Sequence, residues 1–412
     1  MKPVLLLEGP VASRSGYGEH CRGIVKSLIT DDRFELKIDP VSWGDTPQTA
    51  LDDGSPLSGT IKKCFLSGPL PRRPAVHIHV SLPDAFQPKG TFNVGVTAGI
   101  ETTLAPVAWI QGLNRMHVNF VPSAFSKAVF ENTSVIRWYA DGRQEQIRLK
   151  RPIEVVFEGV NTAVFHKTDA PCVDVDRPLE GIPETFCFLM VGHWLQGHLG
   201  ADRKDIGMLV KVFCEVFRHR PNAPALILKT SGAAFSNSDK ERIQRKIHLI
   251  RSSIGDSGLP NVYLVYGDLT PAGMNRLYNH PKVKAHVSFT HGEGYGRPLL
   301  EATLSGKPLL ATNWSGHKDF LPEDLANLLP GEVRQIHPSA ANEWVVKESR
   351  WFVADYAVAA RKLNDLFVHY PNYLARAETL RKQNAERFTS ENEAKLFLQL
   401  LEKHLTGFNA EN

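Results

Sequence analysis

Short apolar runs alternate with amphipathic stretches along most of the chain, the pattern of strands each followed by a helix. In the first half, Pro3–Gly9, Ala75–Leu82, Phe92–Gly99, His117–Ser123 and Ile153–Val160 read as strands, and Glu19–Ile29 reads as a helix after the first of them. A polar, proline-bearing stretch, His166–Pro183, interrupts the series and is expected to be the linker between domains. The series then resumes with Thr185–Trp194, the helical Asp205–His219, Pro224–Gly232, Asn261–Leu269, Ala285–Gly294 and Lys307–Trp314. The tail, Ser390–Leu405, has the apolar stripe of an amphipathic helix. The expected class is α/β, with two doubly wound Rossmann-like domains facing a central cleft and ligands at the carboxyl ends of the strands.

Composition narrows the setting. A chain of 412 residues exceeds one ordinary core and fits two domains. Its 42% apolar and 22% charged residues are those of a globular protein, and no apolar run approaches the roughly 18 residues that cross a bilayer. Membrane insertion is therefore not expected, and the short run before Glu8 reads as a strand rather than a secretory signal. Five scattered cysteines without a CxxC pair argue against a disulfide framework or a zinc site and fit a reducing cytoplasm. The net charge of +4 tolerates an anionic substrate without demanding nucleic acid.

The most specific chemistry lies in His291–Ala302, where Glu293 and Glu301, separated by seven residues, bracket the glycine turn Gly294-Tyr295-Gly296. Val283–Thr290 upstream reads as a buried strand, and Pro298 suits the first position of a helix, which would place Glu301 in the first helical turn. Amides at such a turn point toward a docked anion, and the two carboxylates suit paired hydroxyls, one set on a sugar ring and one on a ribose. The combination points to a nucleotide-sugar.

Two further turns share this context. Gly16-Tyr17-Gly18 follows the first strand and opens a helix, and Arg203-Lys204 precedes the helix after Thr185–Trp194. An Arg fork and a Lys point charge there would stabilise a departing diphosphate. Asp174-Val175-Asp176 imitates a DxD metal motif but falls in the linker stretch, and His77 with His79 has metal-like spacing but no evident third ligand. No metal and no cofactor are expected; the nucleotide-sugar is a substrate.

On Glu293 and Glu301, Arg203-Lys204, Val155–Phe165, Val121–Phe130 and Gly306–Gly316, the sequence resembles retaining GT-B glycosyltransferases of the large group called family 4. The resemblance covers most of the chain. It implies domains over 1–168 (acceptor side) and 169–385 (nucleotide-sugar side), with a helix, 386–412, returning to the first. It further implies that Glu293 contacts donor-sugar hydroxyls with the amides of Gly294, Tyr295 and Gly296, that Glu301 holds the ribose and Lys204 the diphosphate, and that Gly16, Tyr17 and Gly18 approach the phosphate. Retention by front-face attack needs no carboxylate nucleophile; Glu101, after the Phe92–Gly99 strand, is the candidate additional catalytic carboxylate. Two positions depart from the family pattern. His193 stands where an Arg often binds phosphate, which puts that contact in doubt, and Asn161 replaces a common Asp, a structural change.

The acceptor is less legible. Glu8–His20 and Val191–Leu209 resemble glycosyltransferases of large tailed bacteriophages, some of whose relatives decorate hydroxymethylated bases of phage DNA. Duplex DNA in the host cytoplasm is the best acceptor on that basis, and the basic clusters Arg143, Arg148, Lys150, Arg151 and Arg242, Arg245, Lys246, Arg251 could track phosphates or be solvated faces. A glycan or small-molecule acceptor, a nucleotide-sugar epimerase, and a non-catalytic nucleotide or nucleic-acid binding module remain open. Oligomeric state is not readable.

Overall fold

The computed structural model describes residues 2–232, 236–255 and 257–411; residues 1, 233–235, 256 and 412 lie outside it. The chain divides into two compact units: unit 1 comprises Met1–Gly159, Glu343–Val346 and Ser390–Asn412, and unit 2 comprises Val160–Asn342 and Lys347–Thr389.

Unit 1 contains β1 (Val4–Gly9), α1 (Gly16–Ile29), β2 (Glu35–Pro40), α2 (Pro56–Lys63), β3 (Val76–Val80), β4 (Phe92–Val96), α3 (Val107–Leu113), β5 (Val118–Val121), α4 (Ala124–Asn132), β6 (Ser134–Trp138), β7 (Gln144–Arg148) and β8 (Ile153–Val155). Six strands form a parallel sheet in the order β2-β1-β3-β4-β5-β8. β3, β4 and β5 are buried at every position, which is why they read as continuous apolar runs. β2 is an edge strand with one fully buried position, Ile38, so its polar sequence gave no comparable pattern. β6 and β7 pair antiparallel in a separate ribbon.

Unit 2 contains α5 (Val173–Glu180), β9 (Cys187–Val191), α6 (Ile206–Val216), β10 (Ala225–Lys229), α7 (Asn237–Ile254), β11 (Val262–Val265), α8 (Pro271–Asn279), β12 (Val283–Val287), α9 (Arg297–Thr303), β13 (Leu309–Thr312), β14 (Asn327–Leu329), β15 (Gly331–Gln335), β16 (Arg350–Ala354), α10 (Tyr356–Val368) and α11 (Pro371–Arg387). Its parallel sheet runs β11-β10-β9-β12-β13-β14. In this doubly wound order the connections reverse direction between β9 and β12, and the carboxyl ends of those two strands are where open α/β sheets take their ligands. Among the described residues, no helix is long and apolar enough to cross a membrane.

The stretch His166–Pro183 is not a bare linker. It lies within unit 2 and carries α5, where Asp176 accepts from Arg276 Nε of α8 at 2.7 Å. Val175 and Asp176 of the Asp174-Val175-Asp176 motif are thus engaged in helix packing, while Asp174 is exposed.

The last helix, α12 (Ser390–Glu411), belongs to unit 1 and packs against α1. Phe397 and Leu401 are fully buried, and Phe397 meets Phe120 of β5 edge to face at 5.4 Å. The buried Glu393 accepts the Gly159 backbone N–H at 3.1 Å. Phe397→Ala should therefore destabilise unit 1 by about 3–5 kcal/mol, read as a lower denaturation midpoint.

Candidate active site

The crevice side of unit 2 is built from three loops, after β9, β12 and β13. The first carries Arg203 and Lys204 up to Asp205, the residue before α6, whose φ of 50° is left-handed. The second carries Glu293 and the glycine turn, and the third carries Ser315 and Gly316.

The structure brings Glu293, Lys204 and Arg203 together. Lys204 Nζ donates to Glu293 Oε1 at 2.5 Å, and Arg203 Nη1 reaches Glu293 Oε2 at 3.4 Å and the Gly292 carbonyl at 3.3 Å. Burial alone would raise the Glu293 carboxyl, but Lys204 and then Arg203 outweigh it and bring it down to about 2. Glu293 is consequently ionised at neutral pH.

The backbone of this loop is fixed as firmly as its side chains. The Glu293 N–H donates to Ser315 Oγ at 2.9 Å, and the Gly316 N–H donates to the Glu293 carbonyl at 2.9 Å. A Cβ on Gly316 would lie 2.1 Å from the Gly294 carbonyl oxygen, so only glycine lets the two loops meet. Ser315 and Gly316 were present in the sequence as the end of Gly306–Gly316, but their role depends on this contact between loops. Gly296, at φ 95°, turns the chain into α9. Tyr295 sends its side chain into the core against Phe320 at 5.2 Å.

Two local expectations are corrected. α9 starts at Arg297, so Pro298 is its second residue and Glu301 its fifth, beyond the first turn. The Glu301 carboxylate is also already engaged, accepting from Arg297 Nε at 3.0 Å and from the fully buried Tyr278 hydroxyl at 3.1 Å. His193 bonds Ser231 Oγ through Nδ1 at 3.1 Å; desolvation, then the charges of Lys204 and Arg203, lower its pKa. The shift favours the neutral ring.

In unit 1, Gly16, Tyr17 and Gly18 open α1 after β1. Gly18 is required by the chain, since its Cβ would lie 2.1 Å from the Ser13 carbonyl oxygen, and its N–H is taken by Ser15 Oγ at 3.1 Å. Gly16 is different: a Cβ there meets nothing within 4 Å. The Tyr17 ring stacks on Trp43 at 4.2 Å, and its hydroxyl bonds Thr97 Oγ1 at 2.8 Å, on the segment that leads from β4 to the half-buried Glu101.

The register of β1 on β3 supplies the third group missing from the His77–His79 pair. Glu8 stands beside them, and ligand atoms of all three lie within 4.8 Å of one another. The hydrogen bonds fit a different role. The Lys89 and Gln87 backbone N–H groups donate to Nδ1 of His77 and His79 at 3.3 and 3.4 Å, which leaves each ring proton on Nε2. His77 Nε2 then donates to Glu8 Oε2 at 3.1 Å, where Lys89 Nζ lies 2.7 Å away. Burial would raise Glu8, but His77 and Lys89 bring it down to about 2. The ammonium of Lys89 already serves as the cation of this cluster.

No protein-family model matches the chain, and no curated protein matches it. Solved structures do. Anabaena HepE in complex with UDP-glucose aligns over 97% of this chain and 100% of its own, at 12% identity and a TM-score of 0.62. Sucrose-phosphate synthase from Thermosynechococcus elongatus aligns over 99% and 100%, at 16% and 0.61. A UDP-forming α,α-trehalose-phosphate synthase from Burkholderia xenovorans aligns over 97% and 98%, at 10% and 0.62. At such identities the likeness establishes the fold: this is an α/β chain of two Rossmann-like domains, the GT-B class expected from the sequence.

Next to the crevice, burial pushes the Asp205 carboxyl up to about 7, while one of its oxygens accepts from the Tyr356 hydroxyl at 2.6 Å. A carboxyl raised on folding stabilises the protein fully below its unfolded value, near 4, and loses that contribution as pH rises through about 7. Asp205→Asn keeps the left-handed backbone and an acceptor without titrating. Its stability relative to wild type should rise between pH 4 and 7 by up to a few kcal/mol, measured as denaturant midpoints across a pH series.

Proposed function

We propose that the protein is a retaining glycosyltransferase of the family 4 type, moving a sugar from a nucleotide-sugar to an acceptor hydroxyl. The observation that carries this reading is the buried Glu293 carboxylate held by Lys204 and Arg203 at the switch point between β9 and β12. Likeness to structures described with UDP and UDP-glucose supports it.

In the proposed reaction the bond from the sugar anomeric carbon to the diphosphate oxygen breaks while the acceptor oxygen bonds to the same face. The acceptor's proton passes to the departing phosphate oxygen. Lys204 and Arg203 stabilise the negative charge that grows there, and the Glu293 carboxylate and the amides of Gly294, Tyr295 and Gly296 orient the sugar. Glu301, presented by α9 and steadied by Arg297 and Tyr278, takes the ribose hydroxyls. Gly16, Tyr17, Gly18 and Glu101 keep their sequence-based assignments within this proposal. No step requires a metal or cofactor. The acceptor we propose is a hydroxymethylated base in phage DNA, or a sugar already on it.

The test is donor consumption across a panel of nucleotide-sugars, with and without hydroxymethylcytosine-containing duplex DNA, followed by mass analysis of the nucleosides. A hexose or pentose mass on the base supports both reaction and acceptor; donor turnover with unmarked DNA redirects the acceptor to glycans. Glu293→Ala should bind nucleotide yet lose turnover by about 10²–10³-fold or more. Unchanged turnover would remove Glu293 from the site.

A further inference from the structure

We propose that the β6–β7 ribbon of unit 1 is the surface that grips duplex DNA, an inference that rests on the proposed DNA acceptor. The strands pair Ser134 with Arg148, Val135 with Ile147, Ile136 with Gln146, Arg137 with Glu145 and Trp138 with Gln144. Directly opposed residues share a face, so the ribbon has two unlike sides. One side turns Ile147 into the core formed with Trp109, Ile110 and Leu113 of α3, which anchors the ribbon. The other side carries Ile136, 56% exposed, and Trp138, 67% exposed, beside Gln144, Gln146 and Arg148. Two large apolar side chains in water on an anchored ribbon mark a contact surface rather than a packing residue left over.

Charge selects the partner. Residues 134–151 hold five exposed cations, Arg137, Arg143, Arg148, Lys150 and Arg151, against two carboxylates. Both carboxylates have local partners: Asp141 binds Arg143 at 2.5 Å and Glu145 accepts from the Tyr139 hydroxyl. Among the described residues, Arg137, Arg148 and Lys150 form no ion pair, and Arg151 reaches only the Asn114 carbonyl, at 3.5 Å. Three of the four residues of the basic cluster on α7 contrast with this, while the fourth, Arg245, is exposed. There Arg242 pairs with Asp239, Lys246 lies 5.1 Å from the Trp194 ring centroid and Arg251 donates to the Pro260 carbonyl at 2.5 Å.

A two-stranded ribbon fits the major groove, about 12 Å wide, where Gln amides can pair with adenine edges and Arg and Lys can neutralise the flanking phosphates. Trp138, near the ribbon tip, offers a ring to a base unstacked for modification. Amides beside the apolar pair suit base edges better than a bilayer, and the net positive charge disfavours a second copy of the same surface.

The experiment measures anisotropy of labelled hydroxymethylcytosine duplex over a salt series, with transfer to that duplex and acceptor-free donor hydrolysis assayed in parallel. Wild type should bind with a steep salt dependence. Arg148→Gln/Lys150→Gln/Arg151→Gln should flatten the log–log slope by about one for each phosphate that is no longer neutralised. Trp138→Ala should weaken binding about tenfold with little change in slope. Donor hydrolysis, to which Gly16, Tyr17, Gly18 and Glu101 of unit 1 are assigned together with the Glu293 loop of unit 2, should stay at the wild-type level and thereby reports that unit 1 is folded. Variants that bind and modify DNA like wild type overturn the ribbon assignment alone; wild type that neither binds nor marks DNA removes the acceptor reading as well. Trp138-dependent binding to anionic vesicles, or Trp138-dependent dimerisation, in place of DNA binding would also overturn it.

Discussion

A carboxylate sealed inside a protein is tolerable only if cations repay its lost hydration, and in unit 2 that requirement ties three loops together. Glu293 cannot be buried without Lys204 and Arg203, so the loop after β12 is held to the loop after β9. The backbone repeats the tie: His291 N–H donates to the Arg203 carbonyl at 2.8 Å, and the loop after β13 grips Glu293 through Ser315 and Gly316. The crevice is therefore preorganised by the same charges proposed to receive the diphosphate. An entering anion would compete for Lys204 and Arg203 rather than recruit them from solvent.

Sheet order decides where this tie falls. In unit 2 the connections leave β9 and β12 in opposite directions, and the Arg203-Lys204 and Glu293 loops are the ones that part there. In unit 1 the comparable reversal lies between β1 and β3, beside which sit the Gly16–Gly18 turn and the Glu8, His77, His79 and Lys89 network. There the charge is balanced among protein groups. In the turn after β1, Gly16 leaves room where Gly18 does not.

How much of this was legible followed from how local each signal is. Strands buried on both faces, such as Val76–Val80 and Ala225–Lys229, announce themselves as apolar runs, and the Glu293–Glu301 element carries its own spacing. β2 and β6 do not, because an edge strand and a solvent-facing ribbon have little apolar pattern to show. Glu8 could not be joined to His77 and His79 from sequence, since only the register of β1 on β3 brings them together. Likewise Tyr278 gives no sign that it supports Glu301, 23 residues away. The start of α9 was misplaced by one residue because the left-handed Gly296 lets the helix begin at Arg297, and Pro298 still lies in the first turn, whose N–H groups have no helical partner.

The return of α12 to unit 1 has a consequence for biosynthesis. Phe397 and Leu401 complete a core whose strands were made long before, and nearly all of unit 2 is synthesised in between. Until then Phe120 and its neighbours lack the cover of α12, whereas unit 2 has all its residues at Thr389. The unit begun first in synthesis is thus the one that receives its last segment last.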